Sequence, residues 1–592
     1  MPIGVLSSYM KKYMPLEGLR WSRDSGSTLC DTPQNGRSRT GWGGNGSGEN
    51  ESGASYASFS INLPTTSGTR ADGDPEFVDG TANEYKVNDA TLLIFKKGAT
   101  EKEGDYTFVE SAELGSMAPW QKPNPDETGV TTHAKITAKL ESVNKNENNF
   151  ALVLLNNGTG TNAKVAMPSV GEKFSAWNAK TTDKFAKPEN GFYMANAPLF
   201  KDNNVTTLVP IESTKIYPTE EEAAKNAATD IYVERGLAKV TLGSSTTTEK
   251  PVTDGTYKGD KVTISNWALD VTNKKAFPIH NVDGLNEDYA DIWSNTTTAS
   301  ENNGATTQRF VDNTAALAKR VYWGKDPNYN KDNLCTDNSE GKTAREAEFN
   351  YVANADVATA PDKPLYCLEN TFNLANMKQG QTTRVVFKAK YTPKGFTDGD
   401  TFYKIGKNTA IWKESDLKNE ITAAVVSVVT GATATNTTVN LNAERNKITA
   451  AGTHYITADN ITVKISETET ATIAPEDITA INTQLGLNET KKVGISTYAG
   501  GESYYIARIK HFGDALTSWS SGDYGTNNLA YLGRYGILRN NWYELTVSSV
   551  SGPGYPSVPE VKPNTPDDEN DKYISVSVKI LKWAKRSQDV NL

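Results

Sequence analysis

Lys572–Trp583 reads KYISVSVKILKW, a run in which apolar and polar side chains alternate from Ile574 to Ile580. Ile574, Val576, Val578 and Ile580 point one way, and Ser575, Ser577 and Lys579 point the other, which is the two-residue period of a half-buried strand. Ahead of it lies Ser551–Asp571 (SGPGYPSVPEVKPNTPDDEND). Its prolines lack amide donors and fix φ, and its carboxylates repel one another, so an extended tether is expected there. An apolar strand on such a tether needs a groove to enter. The other end of the chain carries a matching run (ASFSINLP), in which Ala57, Phe59, Ile61 and Leu63 alternate with Ser58, Ser60 and Asn62 up to Pro64. Pro64 leads into TTSGTRADGDPEF, a small and polar stretch that reads as an exposed, protease-accessible loop with Arg70-Ala71 at its centre. One cleavage in that loop would release the first strand, and the last strand is spare. The two ends together suggest assembly by strand exchange.

The rest of the composition fits a β-rich surface protein. A chain of 592 residues is too long for one core, so two or more domains are expected. Mean hydropathy is −0.56, and Thr and Asn are abundant among short apolar alternations. The net charge of −9 and the absence of a basic stripe with interleaved aromatics argue against a nucleic-acid surface. Cys30, Cys335 and Cys367 are too few and scattered for a disulfide framework or a zinc site. One bridge, Cys335 to Cys367, is the most that is possible, and two unpaired buried thiols are the preferred reading. No stretch reaches the roughly 20 apolar residues that span a membrane. Residues 1–53 lack a continuous signal-peptide core, and Cys30 lacks the apolar residue of a lipoprotein acceptor site three positions earlier, so a misassigned start is the expectation.

Strands are expected at Tyr85–Phe95, Phe150–Leu155, Ile231–Leu242, Val262–Leu269, Val385–Tyr391, Ile421–Val429, Ser503–Lys510 and Trp542–Val550. One amphipathic helix begins at Thr219, where a T-x-x-E capping box closes on Glu222, and runs to about Ala228. Strands separated by long polar loops suggest β-sandwiches, with the polar stretch Gly243–Asp254 as the break between domains.

Enzyme readings find little support. His133, His280, His454 and His511 are the only histidines, and none has metal-ligand spacing to another or to a cysteine. There is no G-x-S-x-G elbow and no G-x-x-x-x-G-K-[ST] loop. Asp283, Glu287, Asp288 and Asp291 cluster without the order of a calcium loop and read as solvated. Trp267, Tyr366, Tyr504, Tyr505, Trp542 and Tyr543 offer a glycan platform, but their alternation within strands favours core positions. No catalytic residue, cofactor or metal is expected.

Several strings, taken in order, resemble the Bacteroidales fimbrillins (type V pilins). They include FSINLP…TRAD followed by KVNDATLLIF, then GFYMANAP (191–198), IYVERGLAKVTL (231–242) and NWALDVTNK (266–274). LYCLENTF (365–372), YYIARIKHF (504–512), YGILRNNWYEL (535–545) and the terminal ISVSVKILKW follow, and within the family the likeness is to shaft subunits of the minor fimbrium. The resemblance implies an all-β fold of two stacked transthyretin-like β-sandwich domains with few short helices. It also implies a cell-surface fimbrium reached through an outer-membrane lipoprotein precursor, although no lipobox is visible here. An arginine-specific protease would cleave at Arg70-Ala71 and release the strand bearing Ala57, Phe59, Ile61 and Leu63. A neighbour's C-terminal strand, with Ile574, Val576, Val578, Ile580 and Trp583, would fill the vacated groove. Partners would be identical subunits in a head-to-tail polymer, anchor and tip accessory subunits, and an unidentified host or bacterial receptor.

On this reading residues 1–53 are a leader or unstructured segment. Residues 54–245 form the first sandwich, with a removable strand 57–63 and a processing loop 64–78. Residues 246–550 form the second sandwich, 551–571 the tether and 572–592 the donor strand. The alternative is a monomeric or fimbrial-tip surface lipoprotein that binds glycan or protein ligands.

Overall fold

The computed structural model describes residues 55–64, 82–114, 130–186, 191–201, 204–285, 319–511, 531–568 and 574–582. All of them lie in one unit, Gly53–Leu592. The fold is all-β with few short helices.

The first alternating run forms β1 (Ser55–Pro64). It is followed by β2 (Ala90–Lys96), β3 (Thr107–Glu113), β4 (Val130–Leu140), β5 (Asn149–Leu155), β6 (Met194–Asn196) and β7 (Val209–Ile211). Helix α1 (Glu220–Lys225) and β8 (Thr229–Arg235) complete the first sheet region. The strands lie in the order β3-β2-β5-β6-β8-β1-β4, with β7 paired to β5. Their inward side chains make a core that includes Phe59, Ile61, Leu92, Phe95 and Val153, joined by Trp177 from the short helix Phe174–Asn178. Helix α1 begins where the sequence places it: the Thr219 side chain accepts a hydrogen bond from the Glu222 amide, and Asn226 ends the helix.

Beyond β8 come β9 (Ala238–Leu242), β10 (Lys261–Asp270), β11 (Leu365–Cys367) and β12 (Arg384–Thr392). Helices α2 (Glu414–Val428) and α3 (Pro475–Gln484) precede β13 (Glu502–Arg508), β14 (Asn541–Val550) and β15 (Ile574–Lys582). One sheet runs β11-β9-β14-β15, and a second runs from the two-residue strand Lys250–Pro251 through β10 and β12 to β13. Both contribute to one core: Val240, Leu545 and Val576 come from the first, and Trp267, Phe387 and Tyr505 from the second. A separate cluster is built around α2 and α3.

The strand expected at Tyr85–Phe95 begins only at Ala90, since Tyr85 ends the one-turn helix Ala82–Tyr85. Three further sequence expectations need correction. Ile231–Leu242 is not one strand. It breaks at Gly236-Leu237, and β9 already pairs with β14 in the second body, so the chain changes sheets before the polar stretch Gly243–Asp254. Ile421–Val429 is not a strand but the C-terminal half of α2. Leu417, Ile421, Ala424 and Val425 are buried there at helical spacing, with Glu414 and Asp416 in the first turn.

The third correction concerns the tether, whose described part is extended but not free. Tyr555 exchanges two backbone hydrogen bonds with Tyr504 (2.7 and 2.8 Å), and the Tyr498 hydroxyl donates to the Gly554 carbonyl. A Cβ on Gly554 would lie 2.1 Å from the Tyr504 carbonyl oxygen, so only glycine allows this close pass. Arg384, itself held by Asp270, donates to the Pro559 carbonyl (2.6 Å), and Thr382 donates to buried Asp567 (2.8 Å). Residues 551–568 are therefore a docked strap.

A buried polar cluster links the first sheet region to the second. Glu84 accepts from Lys239 of β9 (2.8 Å) and from the Tyr366 hydroxyl of β11 (2.6 Å). Its backbone carbonyl accepts from Arg235 Nε of β8 (2.8 Å), and the Lys239 ammonium sits 3.8 Å from the centre of the Trp542 ring. Nearby, His280 pairs with Glu234 (2.7 Å) and Arg539 with Glu369, all four fully or almost fully buried. Cys335 and Cys367 are both free thiols.

Two outcomes follow from these contacts. Replacing Glu84→Ala strands the Lys239 charge in a dry site, and urea unfolding should show a loss of about 3–5 kcal/mol. Burial pushes the Cys367 thiol up to about 12, so alkylation by iodoacetamide at pH 8 should spare it in the native protein and label it after denaturation, as read by peptide mass mapping.

Candidate functional site: the first and last strands

β1 is held on both sides. It pairs antiparallel with β4 through ten positions from Ser55↔Leu140 to Pro64↔Val130. On its other side it runs parallel to β8 through Phe59↔Thr229, Ser60↔Asp230, Ile61↔Ile231 and Asn62↔Tyr232. β4 is the edge of the sheet and has no strand partner but β1 among the described residues. Taking β1 away would leave two unsatisfied strand edges facing each other across a slot one strand wide.

The inner wall of that slot is apolar. Ala57, Phe59 and Ile61 are fully buried, as the alternation requires. Leu63 is in β1 and pairs with Thr132. Arg70 and Ala71 lie outside the described residues, in the stretch between Pro64 and Ala82.

The outer face of β1 is covered too, which the alternation does not announce. The Ser58 hydroxyl donates to the Ala223 carbonyl of α1 (2.7 Å) and lies 2.8 Å from Thr137 Oγ1 of β4. Lys135 of β4 donates to the carbonyls of Ala224 and Asn226 (both 2.9 Å), which ties the helix to the edge strand. Tyr56 exchanges two backbone hydrogen bonds with Tyr217 (both 2.8 Å). The only sequence signal for this cover was the capped helix itself, which carried no indication of where it docks.

β15 occupies a different setting. It pairs antiparallel with β14 through nine positions from Asn541↔Lys582 to Val550↔Ile574, with a bulge between Val547 and Ser549. Among the described residues it is the last strand of its sheet, with one strand neighbour where β1 has two. Val576 and Val578 are buried in the second core, and Ile574 packs against it partly buried. Ile580 pairs with Tyr543, and Trp583 lies outside the described residues.

The other candidates drawn from the sequence are dispersed among the described residues. His511 is buried with Nδ1 2.6 Å from the Tyr543 hydroxyl, and His454 Nε2 is 2.8 Å from the Ala450 carbonyl. Among the described residues no group of three or more His, Cys, Asp or Glu side chains is placed to hold a metal ion. Trp267, Tyr504, Tyr505 and Tyr543 are core residues, not a surface platform. Glu287, Asp288 and Asp291 lie outside the described residues.

Comparison with known proteins adds four findings. Residues 496–589 match the family described as "Major fimbrial subunit protein type IV, Fimbrillin, C-terminal", a span that contains β13, β14, the strap and β15. No curated protein matches the chain. A solved structure of a putative cell adhesion protein from Parabacteroides distasonis is similar at 12% identity and a TM-score of 0.36, covering 90% of this chain and 98% of that one. A fimbrial assembly protein from the same organism is similar at 10% identity and a TM-score of 0.28, covering 60% of this chain and 93% of that one. The family match is confined to residues 496–589, the C-terminal part of the chain.

Proposed function

We propose that the chain is a structural, non-enzymatic subunit of a cell-surface fimbria, a shaft pilin that polymerises by strand replacement after cleavage at Arg70-Ala71. The observation that carries this reading is the position of β1. A first strand lies between two later ones, four of its side chains (Ala57, Ser58, Phe59 and Ile61) are fully buried, and its onward link is the stretch that contains Arg70. Cleavage there would cut β1 from the body it completes. Its loss would leave an apolar slot whose backbone groups on both walls need a partner.

β15 is suited to fill the slot of a neighbouring subunit. At home it has one ladder, with β14, whereas in the slot it would have two. Each hydrogen bond gained in a second ladder contributes about 0.5–1.5 kcal/mol, and the inward residues exchange one apolar setting for another. The C-terminal fimbrillin match ends at residue 589 and so includes the whole of β15. The contact is head-to-tail and non-closing, which builds a filament and not a ring. Durability would come from slow withdrawal of an inserted strand. Anchor and tip subunits, an arginine-specific protease and an outer-membrane lipoprotein precursor complete the scheme, with adhesion and biofilm formation as its output.

Limited digestion of the purified chain with an arginine-specific protease should give a new N-terminus at Ala71 together with detergent-resistant ladders on electrophoresis. Monomer after clean cleavage at Ala71 contradicts the mechanism. Deleting Ile574–Leu592 should leave a folded protein that no longer assembles; ladders from that truncation would show that β15 is not the donor. Phe59→Ala should lower the stability of the uncleaved chain by roughly 3–5 kcal/mol in urea. The same substitution should leave the dissociation temperature of the polymer unchanged, because the polymer no longer contains Phe59.

A further inference from the structure

The slot around β1 has a roof, and the roof is made of residues that would stay when β1 leaves. Ser58 points away from the core yet is fully buried, because α1 crosses directly above it. Besides the bonds it receives from Ser58 and, just ahead of it at Tyr217, from Tyr56, the helix has supports that do not come from β1: Thr219 caps its start, and Lys135 of β4 holds the carbonyls of Ala224 and Asn226. Ala223, the residue over Ser58, is itself fully buried. A strand entering the slot therefore meets a height limit at the Ser58 position. A side chain there can be no longer than serine, and a hydroxyl restores the donor that the Ala223 carbonyl loses with Ser58.

We propose that this roof sets the register of the incoming strand, placing Ser575 of the next subunit where Ser58 was and running it in the direction of β1. The inference rests on the strand-replacement reading above. In this register Ile574, Val576 and Val578 take the places of Ala57, Phe59 and Ile61. The first two exchange a small-large pair for a large-small one on the same face, which roughly conserves volume. Ser577 falls at half-buried Ser60. Lys579 falls at Asn62, which is on the same polar face but only 7% exposed, so its long stem has to lie along the strand to carry the ammonium outward.

The other arrangements fail on named residues. A shift by two puts Ser577 under the roof but brings Lys582 to the register position of Leu63, in phase with Ala57, Phe59 and Ile61. A strand running the opposite way with Ser577 under the roof carries Lys572 to that same position. The opposite direction with Ser575 under the roof carries Lys572 to the fully buried site of Ile61. An unpaired ammonium in such a site is strongly disfavoured.

Thr137 gives a direct readout, because it is the β4 residue opposite Ser58. Cross-strand Cα atoms at such positions are about 4.5–5.5 Å apart, within disulfide reach. Thr137→Cys is combined in turn with Ser575→Cys, Ser577→Cys and Lys579→Cys in the full chain. Each is cleaved with an arginine-specific protease under reducing conditions, then oxidised and run on a non-reducing gel. The uncleaved Ser58→Cys/Thr137→Cys chain, which should form an internal disulfide, checks that the thiol introduced into β4 faces the slot. The expected result is a covalent ladder from the Ser575 pair, reversed by dithiothreitol and at least tenfold stronger than from the other two. A dominant ladder from the Ser577 or Lys579 pair, or equal ladders from all three, overturns the register. Electron microscopy of each sample separates the two levels of the account. Polymers without a cross-link to the β4 thiol overturn the register and leave strand replacement standing, whereas no polymer even from the unsubstituted chain overturns both.

Discussion

The structure depends on β1 satisfying two strand edges at once. β8 and β4 do not touch in the sheet order except through it, and both come from later parts of the chain. A strand in that position is a keystone whose backbone groups have no alternative partner nearby, so the sheet is complete only with an occupant. The inward trio Ala57, Phe59 and Ile61 makes the vacancy apolar as well as unpaired. Both properties favour refilling by another strand over collapse or solvation. The roof contributed by α1 adds shape selectivity to a site that hydrogen bonding and hydrophobicity alone would leave permissive.

In the strand-replacement account the second body supplies the donor, β15. β15 lies at a sheet edge with its buried valines in a core that β9, β10, β12, β13 and β14 also supply. The strap before it is docked through Tyr555, Pro559 and Asp567, so β15 starts from a fixed anchor and not from the end of a loose tether. The buried cluster of Glu84, Lys239, Tyr366 and Arg235 ties the first sheet to the second. In a filament such a link would transmit load from the slot at one end of a subunit to the strand at the other.

Much of this was legible in the sequence, and the failures have identifiable causes. The alternation at Ala57–Leu63 and Ile574–Ile580 specified strands because a period of two has no helical counterpart. Thr219 and Glu222 specified a helix start through capping chemistry. Ile421–Val429 misled because a β-branched run outweighed the helical spacing of Leu417, Ile421 and Val425, which only becomes apparent when the acidic turn at Glu414–Asp416 is read together with it. The strap misled because its prolines and carboxylates say nothing about the donors, Arg384 and Thr382, that lie 175 and 185 residues before their acceptors in the chain. The change of sheet at Gly236 and the roof over Ser58 have no local signature, since each is set by what packs from elsewhere.

The claim that β1 is replaced, and not merely nicked, is tested most directly by denaturing mass spectrometry of washed polymer. The account predicts that the fragment carrying Ser55–Pro64 and ending at Arg70 is absent from the polymer and recovered in the supernatant. One copy of that fragment per subunit, retained in the polymer through washing, would contradict it.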